Sequence, residues 1–359
     1  MIAVIGGGPA GTFAAYNLAR QGFEVCVYEE HKVVGSPIQC SGVITPVIEQ
    51  ILPDIPKDII VNTIDKVRFY APDNTFFDVK IPTDYVFDRG KLDQYLAKCA
   101  EEAGVKIILE KRFDHFERKT EGLHISFEDG TSTVAQTIIG ADGPHSKVAK
   151  CAGLMQDREY VHGLQARAYV PIEEMNRVDI FLGYGSFGWS IPENEKIARV
   201  GIVCEYNKKE DFHRLLERTK AKVIGYQSGM IPLYNPKGKR SDDGVYLIGD
   251  AAGHVKNSTH GGILYSMLAG QELAKALQGK GSYESLWRKK LGLNLWLNLR
   301  IHTTLNKFSE QDLNKLVHLF SQDKLKKILS QNVRDFPSKF LMQMLIREPR
   351  LLQFGLKVR

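Results

Sequence analysis

Gly6-x-Gly8-x-x-Gly11 is the first group of residues in the chain whose spacing points to chemistry. The first glycine permits a tight turn, the second lets a pyrophosphate approach the backbone, and the third lets a helix pack closely on a strand. Pro9 and Ala10 carry the turn into a helix whose free N–H groups and dipole favour an anion. Glu29, with Glu30 beside it, comes 18 residues after Gly11, where a carboxylate would accept hydrogen bonds from an adenosine ribose. Together they predict a bound dinucleotide.

The elements needed to position these residues are legible on both sides. Residues 2–5 (Ile2, Ala3, Val4, Ile5) are apolar enough for a buried parallel strand. Helix-compatible spacing over 12–21 stops at Gly22, and 25–28 form a second apolar strand ending at Glu29. That is a βαβ unit of about 30 residues. The middle of the chain changes to short β-branched and aromatic segments: 64–70, 76–81, 123–127, 134–139, 164–171, 178–182 and 196–206. Turn signals such as Pro72-Asp73-Asn74 and Asp129-Gly130 bound several of them. A helix is expected over 89–103, a strand over 245–248 and a helix over 262–277. Beyond Gly281 the chain reads as helical, with Leu313, Leu316, Val317 and Phe320 on one face. Residues 291–301 alternate like a strand, yet their length and surroundings favour a helix.

Composition narrows the class. With 43% apolar residues the 359-residue chain is globular, and its length suits two domains or one large composite. No apolar run is long enough for a transmembrane helix, and the first residues do not read as a secretory leader. Five irregularly spaced cysteines suit reduced thiols in the cytoplasm rather than a disulfide frame or a metal site. The net charge of +6 is uneven: residues 283–359 carry 15 Lys+Arg against 6 Asp+Glu, whereas the preceding 282 sum to −3.

Two further segments carry a resemblance. Gly140-Ala141-Asp142-Gly143-Pro144-His145-Ser146-Lys147-Val148 resembles the Asp-Gly segment of the flavoprotein hydroxylase superfamily. Tyr246-Leu247-Ile248-Gly249-Asp250-Ala251-Ala252-Gly253 resembles its Gly-Asp segment, which holds the ribityl chain and pyrophosphate of FAD. Arg89, in Phe87-Asp88-Arg89-x-x-Leu92-Asp93, matches the superfamily's arginine near the flavin. Within that group the chain looks most like the geranylgeranyl reductases. Val34-Gly35-Ser36-Pro37-Ile38-Gln39-Cys40-Ser41-Gly42-Val43 matches their glycine-and-cysteine loop. Phe187-Gly188-Trp189-Ser190-Ile191-Pro192, followed by Gly201, matches their aromatic-x-Trp-x-Phe-Pro and Gly-x-Gly patterns, with Ile191 in place of the Phe and Val203 in place of the last Gly.

The resemblance implies an α/β fold: a Rossmann-like FAD-binding domain (1–60, 85–158 and 228–285), an antiparallel β-sheet substrate domain (61–84 and 159–227) and a C-terminal helical region (286–359). It implies FAD-dependent saturation of isoprenoid double bonds in membrane lipids or their precursors. An aromatic-hydroxylase-type monooxygenase and a non-catalytic flavin- or lipid-binding protein are the rival readings. Asp250 would accept from ribityl hydroxyls, with Gly249, Asp142, Gly143, Cys40, Ser41 and Gly42 around the cofactor. The helix opened by Gly261, Gly262 and Ile263 would face the flavin's N1–C2=O edge, where reduced flavin is anionic.

An isolated alkene has no carbonyl to polarise it, so hydride transfer needs an accompanying proton. Cys40 is the candidate donor, because a thiol is mostly protonated at neutral pH and can still release its proton. Trp189 and Phe187 would flank the prenyl chain. His254 and His260 are read as structural. No second Gly-x-Gly-x-x-Gly follows a strand, so no separate nicotinamide domain is expected, and the reductant is open between NAD(P)H and ferredoxin. The basic tail suits peripheral contact with an anionic membrane at its inner face. Nucleic acid is not expected as a partner, since no recognised module appears.

Overall fold

A computed structural model describes residues 1–52, 54–155, 157–205 and 209–356. Among the described residues three sheets form, and the first carries the glycine motif. Its six strands run in the order Ser241–Asp242, Val245–Leu247, Thr137–Gly140, Ile2–Ile5, Val25–Tyr28 and Lys106–Ile108. All pair in parallel except the first. Ile2–Ile5 and Val25–Tyr28 are buried along their whole length, as strands covered on both faces must be. The helices Pro9–Ala19 and Ile263–Leu277 cover one face, and a Cβ on Gly270 would lie 3.1 Å from Ala14 Cβ. That closeness locks the two helices whose N-termini open at the site.

The second sheet has eight strands: Lys222–Pro232, Tyr160–Tyr169, Ile197–Cys204, Phe187–Pro192, Arg177–Phe181, Ile60–Tyr70, Phe76–Phe87 and Val43–Ile44, in that order. It is antiparallel but for one parallel pair, Arg177–Phe181 with Ile60–Tyr70. Phe187, Trp189, Ile191 and Val203 pack on one face with Ile64, Val86 and Val161. The smaller third sheet is the meander Phe113–Lys119, Gly122–Phe127 and Ser132–Ala135.

Most expected elements are present with shifted ends. The first helix begins at Pro9, whose fixed φ suits a first turn, and not at residue 12. The expected strand 134–139 divides at Gln136 between two sheets. The strand expected over 196–206 is seen as Ile197–Cys204, and Tyr206 lies outside the described residues, as do residues 357–359 of the tail. Segment 291–301 lies in a helix, Leu293–Leu305, entered through a wide turn at Arg288–Gly292. Leu291 and Leu295 are buried while Leu293 is exposed, so the leucine alternation does not mark one buried face. Lys222–Pro232 went unrecognised because Gly225, Gln227, Ser228 and Gly229 dilute its β signal.

Candidate active site

Gly6 has a φ of +106, and a Cβ there would lie 2.4 Å from Ala141 O. This closeness presses the Gly140–Asp142 segment against the glycine turn. A Cβ on Gly11 would lie 2.0 Å from Gly6 O, whereas one on Gly8 would meet nothing within 4 Å. The open side of the turn is thus the side from which a pyrophosphate can reach the helix Pro9–Ala19, whose N-terminus has no side-chain cap. Glu29 is buried and accepts from Gly7 N–H at 2.6 Å and His31 N–H at 2.9 Å. The His31 ring also contacts its Oε1 at 2.6 Å, so the carboxylate is fixed beside the turn with a lone pair left on Oε2. Glu30 is exposed and pairs with Arg112 at 3.0 Å.

The two Asp-containing turns behave differently. Asp142 is used by its own loop: Ser146 Oγ–H donates to one oxygen at 2.6 Å and Val148 N–H to the other at 3.1 Å. Gly143, with φ +76, lets that loop turn. Asp250 instead keeps its carboxyl free of such internal bonds, and burial pushes its pKa up to about 6 against the pull of Arg158 and Arg89. One of its oxygens would lie 3.0 Å from a Cβ on Gly262. Asp250 therefore faces the N-terminus of the helix Ile263–Leu277, which also lacks a side-chain cap. Gly249, with φ +64, packs on Ala10, so the two nucleotide turns touch. Arg158, which sequence reasoning passed over, fixes the second turn by donating to Asp250 O at 3.1 Å and Ala251 O at 2.9 Å.

Cys40 lies half-buried on the loop leading to Val43–Ile44, and its Sγ accepts from Gly42 N–H at 3.4 Å. The Arg89 guanidinium faces it. Burial opposes the charge of Arg89, but the Cys40 and Asp93 side chains more than offset this and raise its pKa. Arg89 also donates to both Asp93 oxygens, at 2.9 and 3.0 Å. Ser41 and Gly42 are held through the backbone: Arg199 donates to Ser41 O and, at 3.0 Å, to Phe87 O, while its Nε pairs with Glu193 at 2.7 Å. Gly42 has φ +72, and a Cβ there would strike Phe87 O and the Arg199 guanidinium. Arg199 was missed because its partners are distant in sequence.

Trp189 lies against Gly201, where an added Cβ would come within 2.4 Å of the indole, and its Nε1–H donates to Gln165 at 3.0 Å. Phe187 sits 5.9 Å from Trp189 and 5.9 Å from His260, ring centre to ring centre. The aromatic segment and the loop before Gly261 therefore meet.

Among the described residues, Arg89 Nε, both ring nitrogens of His260 and Thr259 Oγ1 are buried in this region without a hydrogen-bond partner, whereas the equally unpaired His254 ring lies against Trp287. A ligand rich in carbonyl and hydroxyl groups is the kind that completes such a set. With the open glycine turn and the fixed Glu29, these residues fit FAD.

A strand–turn–helix with an open glycine turn and an uncapped helix N-terminus, joined to a second Gly-Asp turn, fits a flavin-dinucleotide oxidoreductase. The family described as FAD dependent oxidoreductase matches residues 2–220. A digeranylgeranylglycerophospholipid reductase of Methanothrix thermoacetophila is 28% identical over 390 positions, covering 98% of this chain and 97% of that protein. One from Methanosphaera stadtmanae is 31% identical over 297 positions, covering 75% of each. A geranylgeranyl bacteriochlorophyll reductase-like protein from Thermoplasma acidophilum shares the fold, with a TM-score of 0.88, 23% identity and coverage of 100% and 98%. The chain belongs to the FAD dependent oxidoreductase family, in its geranylgeranyl reductase branch.

Proposed function

We propose that this enzyme saturates isolated double bonds in the prenyl chains of membrane lipids or their precursors. The observation that carries the reading is the meeting of an apolar wall (Phe187, Trp189, Ile191, Val203) with the uncapped helix terminus at Gly262. The names of the relatives support the same substrate class. Glu29 would hold the ribose and Asp250 the ribityl chain, with Gly6, Gly8, Pro9, Ala10 and Gly11 around the pyrophosphate. Gly261, Gly262 and Ile263 would present N–H groups to the pyrimidine edge. Asp142 and Gly143 would act through the shape of their loop. When bound, FAD supplies hydride. Cys40 holds a proton at Sγ, and Arg89 and Gly42 N–H stand ready for the thiolate left behind. Trp189 and Phe187 keep water from the chain and hold it extended. In this reading residues 1–60, 85–158 and 228–285 bind FAD, 61–84 and 159–227 form the substrate sheet, and 286–359 close the cavity.

The test supplies reduced protein with a geranylgeranyl lipid under anaerobic conditions. Flavin reoxidation coupled to a gain of two mass units per double bond is expected. Reoxidation only by oxygen, with hydroxylation of an aromatic substrate, would assign the monooxygenase reading instead. Absence of any turnover would leave a binding protein.

Among the described residues no helix is long and apolar enough to cross a membrane. Surface contact is proposed instead, at the inner face of the membrane and from the cytoplasm. Leu293 and Trp296 are exposed on one helix, with Lys289 and Arg300 on the same face. Met342 and Ile346 are exposed on another, with Lys339 nearby. Ser338 N–H donates to Asn294 at 3.0 Å, which ties the turn before the second helix to the first helix. Apolar anchors ringed by cations suit an anionic bilayer. Trp296→Glu combined with Ile346→Glu is expected to weaken sedimentation with anionic vesicles by roughly tenfold or more, and salt should weaken the wild type. Unchanged binding in both experiments would reduce the region to a helical cap.

A further inference from the structure

His260 holds a place that suits glycine better. Its φ is +53, in the left-handed region where a Cβ is strained. The turn around it is tight: His260 and Thr259 both donate their N–H to Lys256 O, at 2.7 and 3.2 Å, and Lys256 N–H donates to Gly261 O at 3.2 Å. The ring is stacked on Phe187 with 18° between planes and stands edge-on to His302 at 5.3 Å. Both ring nitrogens are buried without a partner. Immediately after it come Gly261 and Gly262, the start of the uncapped helix. Backbone strain and unmet ring nitrogens are both costs to the folded chain, and a glycine would remove them. Sites that keep such costs are commonly sites of function.

We propose that His260 takes up a proton when the bound flavin is reduced, balancing the negative charge the cofactor gains. The inference rests on the FAD reading of this site. When bound, FAD would accept two electrons and one proton from its reductant and carry a negative charge. A second proton, drawn from water, forms an N–H bond on the His260 ring and converts neutral imidazole to imidazolium. Before reduction the ring is neutral, because burial holds its pKa down to about 3 and His302 adds to the fall. An anion at the adjoining helix terminus acts in the opposite sense.

The other ionisable groups around the turn are differently committed. His302, on the helix Leu293–Leu305, is itself held down by burial, with Glu205 and Glu159 acting against that. Lys256 is already paired with Asp335, and the Asp250 carboxyl lies on the Gly262 side. Phe187 and its strand neighbour Trp189 bring no charge.

The test uses FAD-loaded wild type, His260→Asn and His260→Gly, both replacements being at ease with a left-handed backbone. Each is reduced anaerobically with dithionite against a reference dye between pH 6 and 8. Two protons per two electrons shift the reduction equilibrium about a hundredfold per pH unit, and one proton shifts it about tenfold. The expected result is about a hundredfold for wild type and tenfold for both variants. Equal shifts in all three proteins would overturn the inference while leaving the yellow, FAD-loaded site intact. A colourless protein that takes up no added FAD would overturn the reading beneath it as well.

Discussion

Cys40→Ala is expected to slow alkene reduction by about 10²–10⁴, the usual contribution of a positioned acid, and to leave FAD content unchanged. The size follows from the substrate class. A trisubstituted alkene offers no oxygen on which charge can rest, so hydride arrival without a proton would leave a carbanion. Of the five cysteines, Cys26 and Cys204 are buried and Cys151 is exposed on a short helix away from the site. Cys99 lies on the helix Arg89–Glu102 beside Tyr95. Cys40 faces the buried Arg89 guanidinium, a cation placed to pair with the thiolate that proton donation would create. Removing the thiol leaves the Arg89–Asp93 pair in place, so the loop and the cofactor turn keep their anchors. Single-turnover reoxidation of the reduced protein by a prenyl lipid separates this from a packing effect. An unchanged rate would make Cys40 a loop residue and move the search for the donor elsewhere.

What could be read from the chain, and what could not, follows the range of the interactions involved. The glycine turn was legible because Gly6 and Gly11 meet steric demands set within a few residues and by one neighbouring strand, while Gly8 leaves the open side of the turn clear. The apolar strands Ile2–Ile5 and Val25–Tyr28 were legible because burial on both faces leaves no alternation to confuse. Lys222–Pro232 was not, because its pairing with Tyr160–Tyr169 lets two glycines and a glutamine lie in a sheet that local propensity would not choose. Arg158 and Arg199 hold the Gly-Asp turn and the Cys40 loop through carbonyl groups far away in sequence, and no spacing announces such bonds. His260 reads as structural in the sequence for a related reason. Its left-handed backbone and its contact with Phe187 are imposed by packing, and a lone histidine carries neither in its neighbours. The tail's surplus of positive charge was visible, yet the acid that matters most there, Asp335, is one of only a few and is hidden among lysines.

Asp335→Ala is expected to destabilise the fold by about 3–5 kcal/mol, the cost of removing one partner from a buried ion pair. Asp335 is 1% exposed, and its carboxylate pairs with the Lys256 ammonium, itself almost fully buried, and accepts from the Thr45 hydroxyl. Tyr265 O–H donates to its backbone carbonyl, and the adjacent Arg334 pairs with the buried Asp84. Burial pushes the Asp335 carboxyl up, but Lys256 and Arg334 outweigh it and hold its pKa below the usual carboxylate range. A depressed folded pKa means this stabilisation is present above the unfolded value near ~3.9 and is lost as pH falls through the folded one. The variant should therefore lose stability at neutral pH and show a smaller further loss on acidification than wild type. Lys256→Met combined with Asp335→Leu should recover most of the difference, since well-packed apolar replacements leave no buried charge unmet. Thermal and urea unfolding between pH 3 and 7 measure both effects, and equal stability of Asp335→Ala and wild type at pH 7 would show that Lys256 finds another partner. The consequence would reach the cofactor, because Lys256 Nζ would lie 3.2 Å from a Cβ on Gly261 and thus packs directly behind the turn that opens the helix Ile263–Leu277. A Lys256 released from Asp335 must seek water, and the turn it supports loosens with it. FAD should then wash out of Asp335→Ala faster than out of the double variant, even where both are folded.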